Sequence, residues 1–239
     1  MPIEEFEIAR RYCGPPRSGN GGYTSGRVAK HLRGAAAVRL KAPPPLATPL
    51  RLEYGDDAAS LYHDKTLIAE ARTCALDLQV PPSPGYEEAV AASRSYIGFK
   101  AHAFPGCFVC GPQRVPEDGL RIFPGALTGS STIAAPWIPD RSLVDARGMV
   151  ESEYLWAALD CVAAFTVTPE NKEVAIVLGE QCTSILGDLR AGEKCVVIGW
   201  PLNVEGRKRY SASAIYAPNG RLVAIARLIF IEVSPTTWA

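Results

Sequence analysis

Apolar residues along the chain fall into two patterns. Short runs at 37–41, 49–54, 59–63 and 67–80 alternate or are rich in branched residues, and Pro43-Pro44-Pro45 and Gly55-Asp56-Asp57 interrupt them, so they predict antiparallel strands. Residues 3–10 suit a further short strand, 13–22 a loop dense in Gly and Pro, and 23–32 a short helix entered by Asn20, Gly21 and Gly22. Beyond the proline-rich link at 81–85 the pattern predicts a helix over 87–96 and strands at 119–123 and 131–136. A long helix over 152–166 comes next, then strands at 174–186, 194–201, 210–216 and 222–233, with Asn219-Gly220 as a hairpin signal. A short helix followed by a meander of strands therefore occurs twice.

The long helix carries one anomaly. From Leu155 to Phe165 every residue but Asp160 is apolar, so no face offers the carboxylate other polar company. A buried carboxylate needs partners or takes up a proton. Structural pairs do this in many proteins, but a perturbed acid also suits a catalytic acid or base.

The halves share letters as well as order. Leu67-Ile68-Ala69-Glu70-Ala71-Arg72 matches Leu222-Val223-Ala224-Ile225-Ala226-Arg227, and each follows a tyrosine and a turn, Tyr62 and Tyr216. We read two copies of one helix-plus-sheet unit, 1–103 and 104–239.

Composition narrows the function. With 239 residues and 47% hydrophobic content the chain can build a sizeable core, and 25 basic residues balance 25 acidic ones, which argues against nucleic acid as partner. No apolar run approaches a membrane span, and the start, MPIEEFEIARR, lacks the order of a secretion signal, so a cytoplasmic address and no membrane contact are expected. Seven scattered cysteines suit reduced thiols. Cys107-Phe108-Val109-Cys110 has zinc-knuckle spacing but no second pair, and Cys13 or His102 would complete it only if folding brought them there, so neither metal nor cofactor is expected.

Ser152-Glu153-Tyr154-Leu155-Trp156-Ala157-Ala158-Leu159-Asp160 resembles, in its spacing, the central-helix motif of hotdog acyl-CoA thioesterases of the phenylacetyl-CoA thioesterase type. In that motif a Gly-Gly pair opens the helix and an Asp lies two turns in. Laid on the first half, it places the glycines on Gly21 and Gly22 and puts Ala29 where the acid should be; the second half has the acid without the glycines. Cys107 to Gly119 also resembles a Cys-Phe-x-Cys-Gly-Pro stretch that leads into many hotdog domains.

The resemblance implies an α+β double hotdog, with two central helices each wrapped by an antiparallel β-sheet. Eight residues along a helix span about 12 Å, so one helix cannot supply both parts of a site. The resemblance therefore implies one site per chain, in which amides near Gly21 and Gly22 form the oxyanion hole and Asp160 acts as general base or nucleophile on an acyl-CoA or related thioester. Gln181 and Thr183 are the candidates for a polar partner on the next strand, with Thr183 preferred, and Asn20 stands where the motif has a His. Arg207-Lys208-Arg209 could hold phosphates of coenzyme A, although such a cluster near a hairpin is more often solvated surface. His31, His63 and His102 form no triad pattern. The alternative reading is a hotdog protein that binds an acyl-CoA or fatty acyl group without catalysis, and pairing into a homodimer is left open.

Overall fold

The computed structural model describes residues 2–169 and 174–234, so 170–173 and 235–239 of the expected second unit lie outside the described residues. In chain order the elements are β1 (Ile3–Glu7), α1 (Gly21–Ala29), β2 (Ala36–Leu40), β3 (Pro49–Tyr54), β4 (Ala58–His63), β5 (Thr66–Thr73) and α2 (Tyr86–Ser93). They continue with β6 (Gly125–Ala126), β7 (Ile133–Trp137), α3 (Ser152–Phe165), β8 (Ala175–Ile185), β9 (Cys195–Glu205), β10 (Lys208–Tyr216) and β11 (Leu222–Val233).

Two expected strands differ, each for a visible reason. Residues 119–123 join no strand, because the Leu120 and Ile122 amides donate to the carbonyls of Phe108 and Val109. The strand expected over 67–80 ends at Thr73. Beyond it Leu76, Leu78 and Val80 lie against a separate apolar cluster that includes Val196, Ile198 and Trp200. Their alternation records one-sided burial without ladder pairing.

All described strands join one antiparallel sheet in the order β1-β3-β4-β5-β2-β8-β11-β10-β9-β7-β6, a single continuous sheet where one sheet per unit was expected. The pairing sequence β3-β4-β5-β2 recurs as β9-β10-β11-β8, and β1 flanks β3 as β7 flanks β9. The repeat in the letters fits the register. Arg72 lies opposite Ala37 and Arg227 opposite Cys182, while Ala37 and Cys182 face each other across the β2–β8 seam. Equivalent residues thus meet at the centre of the join, as a local two-fold axis requires.

The two helices at this join cross closely and run antiparallel. A Cβ on Gly22 would lie 2.6 Å from the Asp160 Cβ and from the Trp156 carbonyl oxygen, and one on Gly26 would lie 2.5 Å from the Glu153 Cα. Spaced by four, the two glycines share one face of α1 and let its backbone rest on α3. In α3 every residue from Glu153 to Ala163 is buried. At about 1.5–3 kcal/mol per large apolar side chain, Leu155, Trp156, Leu159 and Val162 are a main anchor of the core. Strand side chains fix the helix from below, with Gln181 Nε2 donating to the Trp156 carbonyl at 3.1 Å and Ser213 Oγ to the Leu159 carbonyl at 2.8 Å. No helix among the described residues is long and apolar enough to cross a membrane.

Candidate active site

The entrance to α1 is built by the Gly- and Pro-rich loop before it. Gly14 N–H donates to the Ser18 carbonyl, Gly19 N–H to the Pro44 carbonyl and Asn20 N–H to the Tyr12 carbonyl, so a segment without regular structure is still held at both ends. Asn20 then caps the helix, its Oδ1 accepting from Tyr23 N–H at 2.9 Å while the Asn20 carbonyl accepts from Thr24 N–H at 2.9 Å. Stacking of Tyr12 on Tyr23, with ring centroids 4.2 Å apart, locks the turn from outside.

Asp160 comes to this entrance from the other helix. Its Oδ2 accepts from Gly22 N–H at 2.8 Å, and the residue is only 5% exposed. No described cation forms an ion pair with it. Burial pushes its carboxyl up to about 7, against the Gly22 amide and the Asn20 side chain, which favour the ionised form; the Cys107 sulfur adds to the rise. The acid is thus held near neutrality by position.

The glycine pair divides its work. Gly22 N–H is taken by Asp160, Tyr23 N–H by the Asn20 side chain and Thr24 N–H by the Asn20 carbonyl. Among the described residues the first-turn amide without a partner is that of Gly21, which also lines the adjoining cavity. Both glycines are also required for packing, since a Cβ on Gly21 would come within 2.7 Å of the Leu178 Cβ.

That cavity, of about 360 Å³, brings together Asn20, Gly21 and Asp160 with apolar walls from both halves, among them Leu40, Phe165 and Phe230. The loop 40–44 forms one rim and 174–179 another, neither of which stood out in the sequence, because their residues are ordinary strand and loop types. Thr183 is buried but does not line the cavity; its hydroxyl accepts from Gln181 Nε2 at 3.0 Å, beneath α3. Thr183, the preferred polar partner, therefore stands off the cavity that Asp160 lines. Strand alternation puts Gln181 and Thr183 on one face, and there the pair holds the α3 backbone.

Behind Asp160 lies a group of thiols. The sulfurs of Cys107, Cys110 and Cys161 all lie within 4.8 Å of one another and are buried. Asn20 Nδ2 points at Cys161 and Cys107 Sγ, at 3.7 and 3.9 Å, and His102 Nε2 stands 3.3 Å from Cys110 Sγ. Cys161 was missed in the sequence because its neighbours are distant along the chain. Cys13, considered as a completing ligand, is instead held by the Arg114 guanidinium at 3.1 Å.

At the pseudo-equivalent place across the two-fold axis, Glu153 stands where Gly22 stands here, its buried carboxylate 3.8 Å from Arg27 Nε, and Ala29 replaces the acid. Of the basic cluster, Arg209 is engaged by Glu232 and by the Val167 carbonyl, while Arg207 and Lys208 are exposed at the β9–β10 turn. His31 bonds Glu4 and stacks on Tyr54, and neither it nor His63 lines the cavity.

No protein-family model and no curated protein matches the sequence. Solved structures do match the fold. A conserved protein of unknown function with hot dog fold from Alicyclobacillus acidocaldarius is similar over 98% of this chain and 94% of its own, at 13% identity and a TM-score of 0.60. The tesB protein of Mycobacterium avium subs paratuberculosis is similar over 97% and 92%, at 12% identity and a TM-score of 0.61. An acyl-CoA thioesterase II, TesB2, from Mycobacterium marinum is similar over 99% and 94%, at 12% identity and a TM-score of 0.58. The whole described chain thus has a hotdog fold.

Proposed function

We propose that this protein is an acyl-CoA thioesterase built as two fused hotdog units, 1–103 and 104–239, around the central helices α1 and α3. The observation that carries the reading is the Asp160 carboxylate held by Gly22 N–H at 2.8 Å beside a largely apolar cavity. Two full-length structural neighbours, the tesB protein and TesB2, support the substrate class, the latter being an acyl-CoA thioesterase II.

In this reading the thioester carbonyl enters the cavity and its oxygen meets Gly21 N–H at the positive end of α1. Asp160 as general base takes a proton from a water whose oxygen attacks the acyl carbon, or as nucleophile forms a mixed anhydride that water then hydrolyses to free the acid. In both routes the C–S bond breaks and the thiolate of coenzyme A leaves. Asn20 shapes the entrance by capping α1, and the apolar walls take the acyl group. Release of free thiol from a panel of acyl-CoAs tests the proposal. Turnover that saturates with substrate supports it, whereas tight acyl-CoA binding with no thiol release would favour the non-catalytic acyl-binding alternative.

The pH profile supplies a second check. A carboxyl held at about 7 must lose its proton before it can act as base or nucleophile. The rate at saturating substrate is expected to fall about tenfold per pH unit below 7 and to level off above it. A profile that instead declines as the pH rises through 7 would assign Asp160 the opposite proton role.

A further inference from the structure

The Cys107-Cys110 pair lies in a tight turn that brings its two sulfurs within 4.8 Å of each other. Gly111 folds the chain back so tightly that a Cβ there would lie 2.5 Å from the Cys107 carbonyl oxygen, and the Gly111 amide donates to that carbonyl at 3.0 Å. The backbone amides of Cys110 and Val109 lie near enough to the Cys107 sulfur to favour its ionised form. A spacing of C-x-x-C with amides aimed at the first sulfur favours a thiolate.

The fold adds what the sequence withheld, a third sulfur from α3. Cys161 Sγ lies 3.7 Å from Cys107 Sγ, and a tetrahedral zinc with bonds of about 2.3 Å separates its sulfur ligands by about 3.8 Å. The surroundings suit bound thiolates: Asn20 Nδ2 is directed at two of the three sulfurs. Phe104 N–H donates to His102 Nδ1 at 2.9 Å, which leaves the ring proton on Nε2, facing Cys110 Sγ at 3.3 Å. His102 is therefore a hydrogen-bond partner of a ligand rather than a ligand, as expected around metal-bound sulfur.

We infer that Cys107, Cys110 and Cys161 bind one Zn²⁺ ion through three thiolates, with water from the adjoining cavity in the fourth position. On binding, three S–H protons leave to solvent as three Zn–S bonds form, and no electron is transferred. The ion ties the 104–123 segment to α3 next to Asp160. This goes beyond the thioesterase reading and does not depend on it.

The test uses the full chain, purified reduced and without chelator. Metal analysis is expected to give about one zinc per chain. Co²⁺ added to metal-stripped protein should produce a thiolate-to-cobalt charge-transfer band and the visible bands of tetrahedral cobalt, saturating at one equivalent and bleached by Zn²⁺. Cys107→Ser, Cys110→Ser and Cys161→Ser should each weaken the charge-transfer band and lower zinc affinity at least tenfold, with circular dichroism confirming the fold. Cys74→Ser, remote from the cluster, and Asp160→Asn should keep the full spectrum. A reduced wild-type chain that gives no such band would overturn the proposal, as would a band untouched by Cys161→Ser or a chain that takes up no metal and instead closes a Cys107–Cys161 disulfide.

Discussion

Asp160→Asn is expected to lower the turnover number for acyl-CoA hydrolysis by about 10²- to 10⁴-fold, the usual range for loss of a general base. The substitution is nearly isosteric. An Asn side-chain oxygen can still accept from Gly22 N–H, the bond that now holds Asp160 at 2.8 Å, so the helix crossing survives. What disappears is the ability to take a proton or to attack.

The same variant should be more stable than the wild type at alkaline pH, and that distinguishes a working acid from a structural one. The folded carboxyl sits at about 7, above its unfolded value near 4, so the native state binds the proton more tightly. Its contribution to stability is therefore complete below about pH 4 and is lost as the pH rises through 7; at pH 8 the buried charge costs of the order of 4 kcal/mol. Asn carries no such cost. Melting curves of the metal-stripped chain from pH 4 to 8 should show the variant higher by several degrees at pH 8, with the gap closing towards pH 4. An inactive variant that melts lower than wild type at pH 8 would make Asp160 a structural anchor, and wild-type turnover would remove it from the chemistry altogether.

Much of this arrangement was legible in the chain because its signals are local or periodic. An apolar helix interrupted by one carboxylate announced Asp160, a Gly-Gly pair after a capping Asn announced the entrance of α1, and the repeat ending in Arg72 and Arg227 marked strands that are equivalent about the seam. A helix advances about 12 Å in eight residues, and Asp160 does meet the glycine pair from a different helix. Which amide does what was not legible, since Gly21 and Gly22 are the same letter and only the crossing decides that Gly22 N–H meets Asp160. The placing of Thr183 off the cavity was hidden for a related reason: periodicity gives a face, and that face here also carries the helix-holding Gln181. The thiol group joins residues 54 positions apart, a relation that spacing cannot encode. Similarly, α2 falls in the first half of the chain yet lies against β6 and β7, with the Ala92 carbonyl packed on Gly125, because the outer face of the second half needed a cover.

Gly22→Ala should damage stability and activity together. The added methyl would stand 2.6 Å from the Asp160 Cβ and the Trp156 carbonyl oxygen and 2.9 Å from the Ala157 Cα, and all three belong to a buried helix that cannot yield locally. Overpacking of this kind costs about 1–3 kcal/mol, only partly offset by up to about 1 kcal/mol from the better helix propensity of Ala. A loss of about 1–2 kcal/mol corresponds to a fall in melting temperature of roughly 2–8 °C for a chain of this size. The larger effect is on the site. Relief of the clash must move α1 away from α3, lengthening the bond from Gly22 N–H to Asp160 and shifting Gly21 with it, and a displacement near 1 Å can cost about 10²-fold in rate. Gly26→Ala meets the Glu153 Cα at 2.5 Å and should destabilise by a similar amount, but it lies one turn further from the acid and should spare more of the activity. Gly85→Ser, with nothing within 4 Å of its Cβ and a side chain suited to the N-cap of α2, should lower neither. If Gly22→Ala melted and turned over like the wild type, α1 and α3 could not be in the contact that joins the two halves of the site, and the division of roles between Gly21, Gly22 and Asp160 would fall with it.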